Sequence, residues 1–199
     1  MPKQVDHDER RREIIEALWA LAAREGLSAV SFRRVAAKAD VSVRRIQYYF
    51  GTKASLLAAA LEMLGQAVFA RGVAAMDTAG PGASPRSMLH LIIEAGLPST
   101  RDQRQDSLLF FSFYVAALTD PELASTEAQQ ILGWTIPFAA NLIRTAEASG
   151  QAKPGIDPDH EARILMSAFY GLSLSVLAGT QTPQDALAAI DYHLDRIFV

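Results

Sequence analysis

Helical hydrophobic periodicity runs through almost the whole chain, and signals for β-strands are nearly absent. Glycine and proline stand between the periodic segments rather than inside them. The clearest helix boundaries pair a capping residue or a terminator with a nearby proline, at 120–121, 150–154, 157–158 and 182–183. This pattern predicts an all-α protein of about nine helices.

The first four helices are predicted at about 7–25, 32–38, 43–49 and from Thr52 onward. Ser31 and Ser42 precede the second and third of these helices and are their predicted N-caps. The segment 79–85, with the sequence AGPGASP, is the clearest break in the pattern. Beyond it we expect helices at about 85–97, 102–118, 121–149, 158–178 and 183–198.

Composition excludes several classes of site. The chain has 199 residues and no cysteine, so disulfides, thiolate metal sites and a cysteine nucleophile are excluded. Polar residues interrupt the apolar stretches near 108–118 and 164–178, so we expect no membrane span and a cytoplasmic location. No motif for a nucleotide, a catalytic metal or a nucleophilic serine occurs, and we therefore expect neither a cofactor nor an enzyme.

Charge is distributed unevenly between the two parts of the chain. Residues 1–55 carry eleven Lys and Arg against seven Asp and Glu, a net charge of +4, while residues 56–199 carry −7. A basic head on an acidic body is typical of a protein whose head alone contacts a polyanion. The boundary that we predict therefore separates a basic head, 1–55, from an acidic helical body, 56–199.

Two short helices joined by a tight turn form a helix-turn-helix pattern within the head. Ile46 and Phe50 are four residues apart and therefore share the buried face of the second short helix. Arg44, Arg45 and Gln47 then point outward, and these are side chains that hydrogen-bond to base edges. The alternative is a basic helix face that is merely solvated.

Residues 10–57 resemble the N-terminal domain of the TetR family of transcriptional regulators. The resemblance is carried by Ile14-Ile15, Ala17, Gly26, Ser31, Val35-Ala36, Val41-Ser42, Ile46, the run 48–53 (YYFGTK) and Leu56. It implies a three-helix head that binds double-stranded DNA, a connecting fourth helix and a body that forms a homodimer through its last two helices. It also implies a DNA-binding set of Ser31, Arg33, Ser42, Val43, Arg44, Arg45, Gln47, Tyr48 and Lys53.

Three positions depart from the commonest pattern of that family. Arg44 replaces a usual Gly, Gln47 a frequent Tyr, and Tyr49 a frequent His. The first two lie on the predicted reading face, so they imply a different operator rather than a different fold. Tyr49 is expected to pack beside Phe50.

The body resembles the betaine-inhibitor, or choline-sensing, type of TetR C-terminal domain through the run 110–123 (FFSFYVAALTDPEL), Gly150 and Gly171-Leu172. Such bodies respond to many small molecules, so the effector stays unknown. The candidate ligand-binding residues are Phe110, Tyr114, Trp134, Phe138, Asn141, Phe169 and Tyr170, with His90, Glu94 and Ser173 as further polar candidates. The alternative is that these aromatic side chains only fill the core.

The last helix is expected to expose one broad apolar stripe as part of the dimer interface. That stripe comprises Ala186, Ala189, Ile190, His193, Leu194 and Ile197. The acidic run 157–161 looks like a metal cluster, but capping of a helix start explains it better. The alternative function for the whole chain is an all-helical small-molecule-binding protein or enzyme without a DNA function.

Overall fold

The computed structural model describes residues 2–78, 80, 82–119 and 133–199. Within them, nine α-helices and one short 3-10 helix, Leu27–Ala29, form the fold, and a single isolated bridge between Ala152 and Phe198 is the only β-type pairing. The helices are α1 Pro2–Glu25, α2 Phe32–Lys38, α3 Val43–Phe50, α4 Lys53–Thr78, α5 Pro85–Gly96, α6 Arg101–Thr119, α7 Thr135–Ala148, α8 Pro158–Ala178 and α9 Pro183–Ile197. The predicted all-α class and helix number are confirmed.

Most helix starts lie where the sequence predicts them, because each is capped by a side chain. Ser31 and Ser42 accept hydrogen bonds from the backbone N–H groups of Arg34 and Arg45. Thr182 and Asp185 form a reciprocal capping box at the start of α9. The predicted boundary at 120–121, and the first part of the helix predicted at 121–149, lie outside the described residues.

The chain divides into two compact units. The first comprises the described residues of 2–65 and 108–119, and its core contains Ile14, Leu18, Ile46 and Leu56, none of which is exposed. Together these residues hold α1, α2, α3 and the first half of α4. The predicted boundary between head and body, at residue 55, falls inside α4. The division of functions between these two parts of the chain stays a prediction.

The second unit comprises the described residues of 66–107 and 133–199. The predicted exposed stripe on the last helix is wrong for most of its members. Ala186, Ile190, Leu194 and Ile197 are all fully buried, because that face of α9 packs into the core shared with α5, α7 and α8. A core face and an interface face of a helix have the same apolar periodicity, so the periodicity alone could not show which of the two this stripe is.

A different face of the last two helices is exposed. On α8, Ile164 and Leu174 are 54 % and 48 % exposed, and Gly171 lies between them on the same side. On α9, Ala189 is exposed and Tyr192 is 67 % exposed.

Candidate DNA-binding surface and effector cavity

Helix α3 presents one anchored face and one free face. Ile46 is fully buried and Phe50 is 6 % exposed, so this side of the helix is fixed to the core of the first unit. Ser42 caps the helix start through a 3.2 Å hydrogen bond from the Arg45 N–H. Gly51 ends the helix with a φ of 69°, a conformation that glycine adopts without strain.

The outward residues of α3 are those that the sequence predicts. Arg44, Arg45 and Gln47 are exposed, Val43 is 38 % exposed and Tyr48 is 75 % exposed. Within the described part of the chain, the guanidinium groups of Arg44 and Arg45 form no hydrogen bond or ion pair. They can therefore meet a ligand without first breaking an internal contact.

The predicted phosphate-contacting residues lie around this helix in the first unit. Arg33 and Lys53 are exposed at the starts of α2 and α4. Ser31 is half-buried, and its Oγ accepts the Arg34 N–H at 3.4 Å. Ser42 is exposed and keeps its second lone pair free. Cations and exposed backbone N–H groups at helix starts are the elements that bind phosphate.

Two arginines of the first unit, Arg34 and Arg11, form internal contacts and are not simply solvated. Arg34 pairs with Glu25, and its guanidinium group holds the pKa of that carboxyl below its ordinary value. Arg11 donates a hydrogen bond to the Tyr49 carbonyl at 3.1 Å and lies over the Phe50 ring, 4.8 Å from its centroid. Sequence reasoning missed Arg11, because a contact between residues 38 positions apart leaves no local signal.

The second unit contains a cavity with about 610 Å³ of space free of atoms, including its opening to solvent. Its lining comes from α4, α5, the start of α7 and α8: Val68, Phe69, Gly72, Val73, Met76, Leu89, Ile92, Ile93, Gly96, Trp134, Thr135, Phe138, Ala139, Met166 and Phe169. A concave and mostly apolar wall of this kind is typical of small-molecule sites.

Three of the seven predicted ligand-binding residues line this cavity, namely Trp134, Phe138 and Phe169. Tyr170 does not line it, but its hydroxyl lies 3.0 Å from the Thr135 Oγ1. Asn141 is exposed on α7 and is not a lining residue.

Phe110 and Tyr114 belong to the first unit, where their rings stack with centroids 6.4 Å apart. They therefore take no part in the lining of this cavity. Aromatic content alone did not distinguish α6, which contributes nothing to this lining, from α7 and α8, which do.

Two glycines shape the cavity, and sequence reasoning did not single them out. A Cβ atom at Gly96 would lie 2.9 Å from Cζ of Phe169, which is closer than real Cβ contacts allow. At Gly72 a Cβ atom would lie 3.6 Å from a methyl group of Ile92, an ordinary contact distance. Gly96 therefore lets the Phe169 ring approach α5. The sequence feature that could have indicated this role is the position of Gly96 at the end of the apolar helix α5.

The other polar candidates have partners or lie away from the lining. His90 Nδ1 lies 2.7 Å from Asp191 Oδ1, and Glu94 is exposed. Ser173 is buried, and its hydroxyl has no hydrogen-bond partner in the described part of the chain.

The acidic run 157–161 forms a helix cap, as predicted. Asp157 accepts hydrogen bonds from the N–H groups of Asp159 and His160, at 3.0 and 3.1 Å. The hydrogen bond from the His160 side chain, followed by those from the backbone, holds the pKa of Asp157 below its ordinary value. Among the described residues, no group of three or more His, Asp or Glu could hold a metal ion.

Two described helices, α4 and α8, are long and apolar enough to cross a membrane by length and composition alone. Core helices of proteins that do not cross membranes pass the same test, so this observation is weak evidence for a span. Both helices contribute buried residues to the cores described above, Leu56 and Leu64 from α4 and Leu165 from α8.

The chain matches two family models. Residues 14–60 match bacterial regulatory proteins of the tetR family, and residues 85–199 match the C-terminal domain of BetI-type transcriptional repressors. The regulator BetI 2 of Chromohalobacter salexigens is 32 % identical over 203 residues, which cover this whole chain and 91 % of that protein. The regulator PksA of Bacillus subtilis is 28 % identical over 177 residues, 89 % of this chain and 83 % of PksA.

Solved structures share the fold. A TetR-family transcriptional regulator from a Rhodococcus species superposes with a TM-score of 0.85 at 22 % identity, over 96 % of this chain and all of that one. A transcriptional regulator from Saccharomonospora viridis in complex with choline gives a TM-score of 0.78 at 25 % identity, over 96 % and 99 % of the two chains. TetR-family regulators bind DNA and small-molecule effectors and typically dimerise. The chain therefore belongs to the TetR family and is a DNA-binding, ligand-responsive transcriptional regulator with a BetI-type C-terminal domain.

Proposed function

We propose that this regulator is a repressor that binds a near-palindromic operator as a homodimer, with α3 of each subunit in the major groove of double-stranded DNA. The observation that carries this proposal is the orientation of α3. Its buried side is anchored by Ile46 and Phe50, while the side chains of Arg44, Arg45 and Gln47 are exposed and have no partner among the described residues. Two such helices on one face of a duplex fit half-sites about 34–36 Å apart.

The exposed side chains have the chemistry that base reading needs. An arginine guanidinium donates two parallel hydrogen bonds to the O6 and N7 atoms of guanine, and a glutamine amide pairs with N6 and N7 of adenine. Arg44 and Arg45 therefore favour guanine contacts, and Gln47 favours an adenine. Val43 offers an apolar contact that suits a thymine methyl group.

The remaining predicted residues would position the head on the phosphate backbone. Arg33, Tyr48 and Lys53 are exposed, and Ser31 and Ser42 lie at the starts of α2 and α3. Contacts of this kind fix register and orientation without reading sequence. They also make the affinity for DNA fall steeply as the salt concentration rises.

The dimer interface that we propose uses the exposed face of α8 and α9. Ile164, Gly171 and Leu174 on α8, with Ala189 and Tyr192 on α9, form the apolar and small-residue surface of those helices. A twofold axis through this face would pair α8 and α9 with the same helices of the partner in a four-helix arrangement. It would also leave the buried face of α9 to the core of its own subunit.

The effector would act from the cavity of the second unit. A small molecule that binds more tightly to one of two arrangements of the dimer shifts the population toward that arrangement and so changes the affinity for DNA. Because one structural neighbour is in complex with choline, quaternary ammonium compounds are the first class to compare with neutral molecules. No enzymatic step is part of this proposal, and its DNA partner implies a cytoplasmic location.

The test is the binding of the full-length protein to the duplex that flanks its own gene, measured by fluorescence anisotropy over a salt series. A scrambled duplex of the same length and composition serves as the control. We expect tighter binding to the native duplex, with the logarithm of the affinity falling linearly with the logarithm of the salt concentration. Equal or absent binding to both duplexes at all salt concentrations would instead support an all-helical binding protein without a DNA function.

A further inference from the structure

We infer that the effector is a neutral, compact and predominantly apolar molecule with at most one hydrogen-bonding oxygen, and that Thr135 contacts this oxygen. The inference rests on the proposed function, since it gives the chemical class of the effector for the cavity of the second unit. It departs from the choline-like cation that the choline-bound structural neighbour suggests. The reasons lie in the charge, the ring packing and the single hydroxyl group of the cavity wall.

The described part of the cavity wall contains no ionisable side chain. None of its fifteen described lining residues is an Asp, Glu, His, Lys or Arg. A desolvated cation in such a wall would lose its hydration without a counter-charge, and such burial is costly. A neutral apolar molecule loses little on the same transfer and gains from the area that it buries.

The carboxylates nearest to the lining segments along the chain already have partners or face solvent. Arg71, which precedes the lining residue Gly72, pairs with Asp106 at 2.5 Å. Glu94, which follows the lining residue Ile93, is exposed, and its carboxylate lies 3.9 Å from His90 Nε2. Asp77, which follows the lining residue Met76, is likewise exposed, so none of these carboxylates belongs to the described cavity wall as a counter-charge for a bound cation.

Several aromatic side chains of the wall pack edge to face against one another. The rings of Phe69 and Trp134 meet edge to face, with centroids 5.3 Å apart and planes at 83°. Trp134 and Phe138 meet in the same way, at 5.8 Å and 70°. Cation binding uses the faces of aromatic rings, and a ring edge already lies against one face in each of these pairs.

Among the described lining residues, Thr135 carries the only hydroxyl group, and the indole N–H of Trp134 is a donor only. Its Oγ1 lies 3.0 Å from the Tyr170 hydroxyl, and either oxygen can be the donor of that hydrogen bond. A threonine hydroxyl has one donor and two acceptor positions, so this contact leaves it capacity for two further hydrogen bonds. One oxygen on an otherwise apolar molecule would match this wall.

The test uses three small molecules of nearly the same shape: neopentylbenzene, its benzylic alcohol 2,2-dimethyl-1-phenylpropan-1-ol, and benzyltrimethylammonium. The first and last differ in one atom, a carbon or a positively charged nitrogen. All three are compact, so none can place a charged head outside the cavity while a long tail stays inside.

The chain provides its own reporter for binding. It has two tryptophans, Trp19 in the first unit and Trp134 in the cavity wall. In a Trp19→Phe background, the fluorescence of Trp134 alone reports occupancy. This exchange removes an indole N–H that has no hydrogen-bond partner in the described part of the chain, so we expect the fold to tolerate it.

We expect saturable binding of both neutral molecules, with dissociation constants at least tenfold lower than that of benzyltrimethylammonium. Thr135→Val should weaken binding of the alcohol about fivefold or more and leave the hydrocarbon within twofold. A smaller preference for the neutral molecules, a preference for the cation, or no saturable binding of the hydrocarbon would overturn the inference.

A cavity-filling variant and a matched control locate the site. Val73→Phe places a larger side chain in the wall and should weaken hydrocarbon binding at least tenfold. Val115→Phe makes the same exchange at a residue of the first unit that is 60 % exposed, and it should leave binding within twofold. Equal effects of the two variants on hydrocarbon binding would show that the molecule binds outside this cavity. If Val73→Phe does not fold, the comparison of the three small molecules still decides the chemical class of the ligand.

DNA binding is measured in parallel on the same protein. Binding of the native duplex without the neutral preference would overturn this inference and leave the proposed function intact. A preference for the neutral molecules without binding of the native duplex would overturn the proposed function and leave the neutral ligand class of the cavity intact.

Discussion

Arg11 on α1 donates a hydrogen bond to the backbone carbonyl of Tyr49 on α3, with 3.1 Å between Nη1 and the oxygen. The same guanidinium group lies 4.8 Å from the centroid of the Phe50 ring. These two contacts tie the C-terminal turn of α3 to α1, and they act on the side of the helix opposite to Arg44 and Arg45. The angle at which α3 presents its free face therefore depends on a residue that does not itself read DNA.

Arg11→Ala should lower the free energy of unfolding by about 1–3 kcal/mol, because a charged hydrogen bond to a half-buried carbonyl is lost together with a contact to an aromatic ring. Urea denaturation measures this change. The matched control is Arg12→Ala, which breaks only an exposed pair with Glu16 and should cost less than about 0.5 kcal/mol. Equal costs for the two variants would show that the Arg11 contacts do not stabilise the head.

Ser42→Ala should lower the free energy of unfolding by about 1 kcal/mol, because the Arg45 N–H loses its capping partner at the start of α3. Ser42→Asn keeps a side-chain acceptor and should restore most of the loss. Denaturant unfolding in the absence of DNA separates this structural effect from any phosphate contact of the same hydroxyl. Equal free energies of unfolding for Ser42→Ala and Ser42→Asn would show that capping by the Ser42 side chain does not stabilise the protein.

Leu174→Glu should convert the proposed dimer into monomers, because it places a charge on the exposed apolar face of α8. Light scattering coupled to size-exclusion chromatography gives the mass directly. Val115→Glu introduces the same charge at an exposed residue of the first unit and should leave the dimer intact. A Leu174→Glu protein that keeps the mass of two chains would place the interface elsewhere.

Acid should remove the contribution of Asp157 to stability. The hydrogen bond from the His160 side chain, and then those from the backbone, hold the pKa of Asp157 below its ordinary value of 3.8. A group with a depressed pKa stabilises the fold above its unfolded pKa, and this contribution is lost as the pH falls through the lower, folded value.

Asp157→Asn keeps a capping oxygen but cannot titrate, so the difference in stability between wild type and variant should shrink as the pH falls from about 5 to about 2. Thermal unfolding at each pH measures the difference. A difference that stays constant over this range would contradict the assigned cause.

The sequence was most informative where a local signal decides the structure. Thr182 before Pro183 set the start of α9, and Ser42 before an apolar pair at i and i+4 set both the start and the buried side of α3. In both cases the hydrogen-bond acceptor, the helix and the apolar face lie within a few residues of one another. The exposure of Arg44 and Arg45 followed from the same short-range argument.

The sequence was least informative where the answer depends on which helices meet. Leu194 belongs to an apolar stripe that suits a core or a dimer interface equally well, and only its neighbours show that it is core. Phe110 and Phe138 are both aromatic residues of body helices, yet only Phe138 lines the cavity. The contribution of α4 to that cavity, from Val68 onward, has no motif that marks it.

The reading of bases by α3 is the central claim, and selection from a pool of randomised duplexes tests it most directly. Wild type, Arg45→Ala and Arg163→Ala, which removes an exposed arginine from the body, are each used to select and sequence bound DNA. We expect wild type and Arg163→Ala to select the same two inverted half-sites. Arg45→Ala should lose the preference for one base, expected to be guanine, at the same position of both half-sites, at a cost of about 1–3 kcal/mol. An unchanged set of sequences selected by Arg45→Ala would contradict the claim.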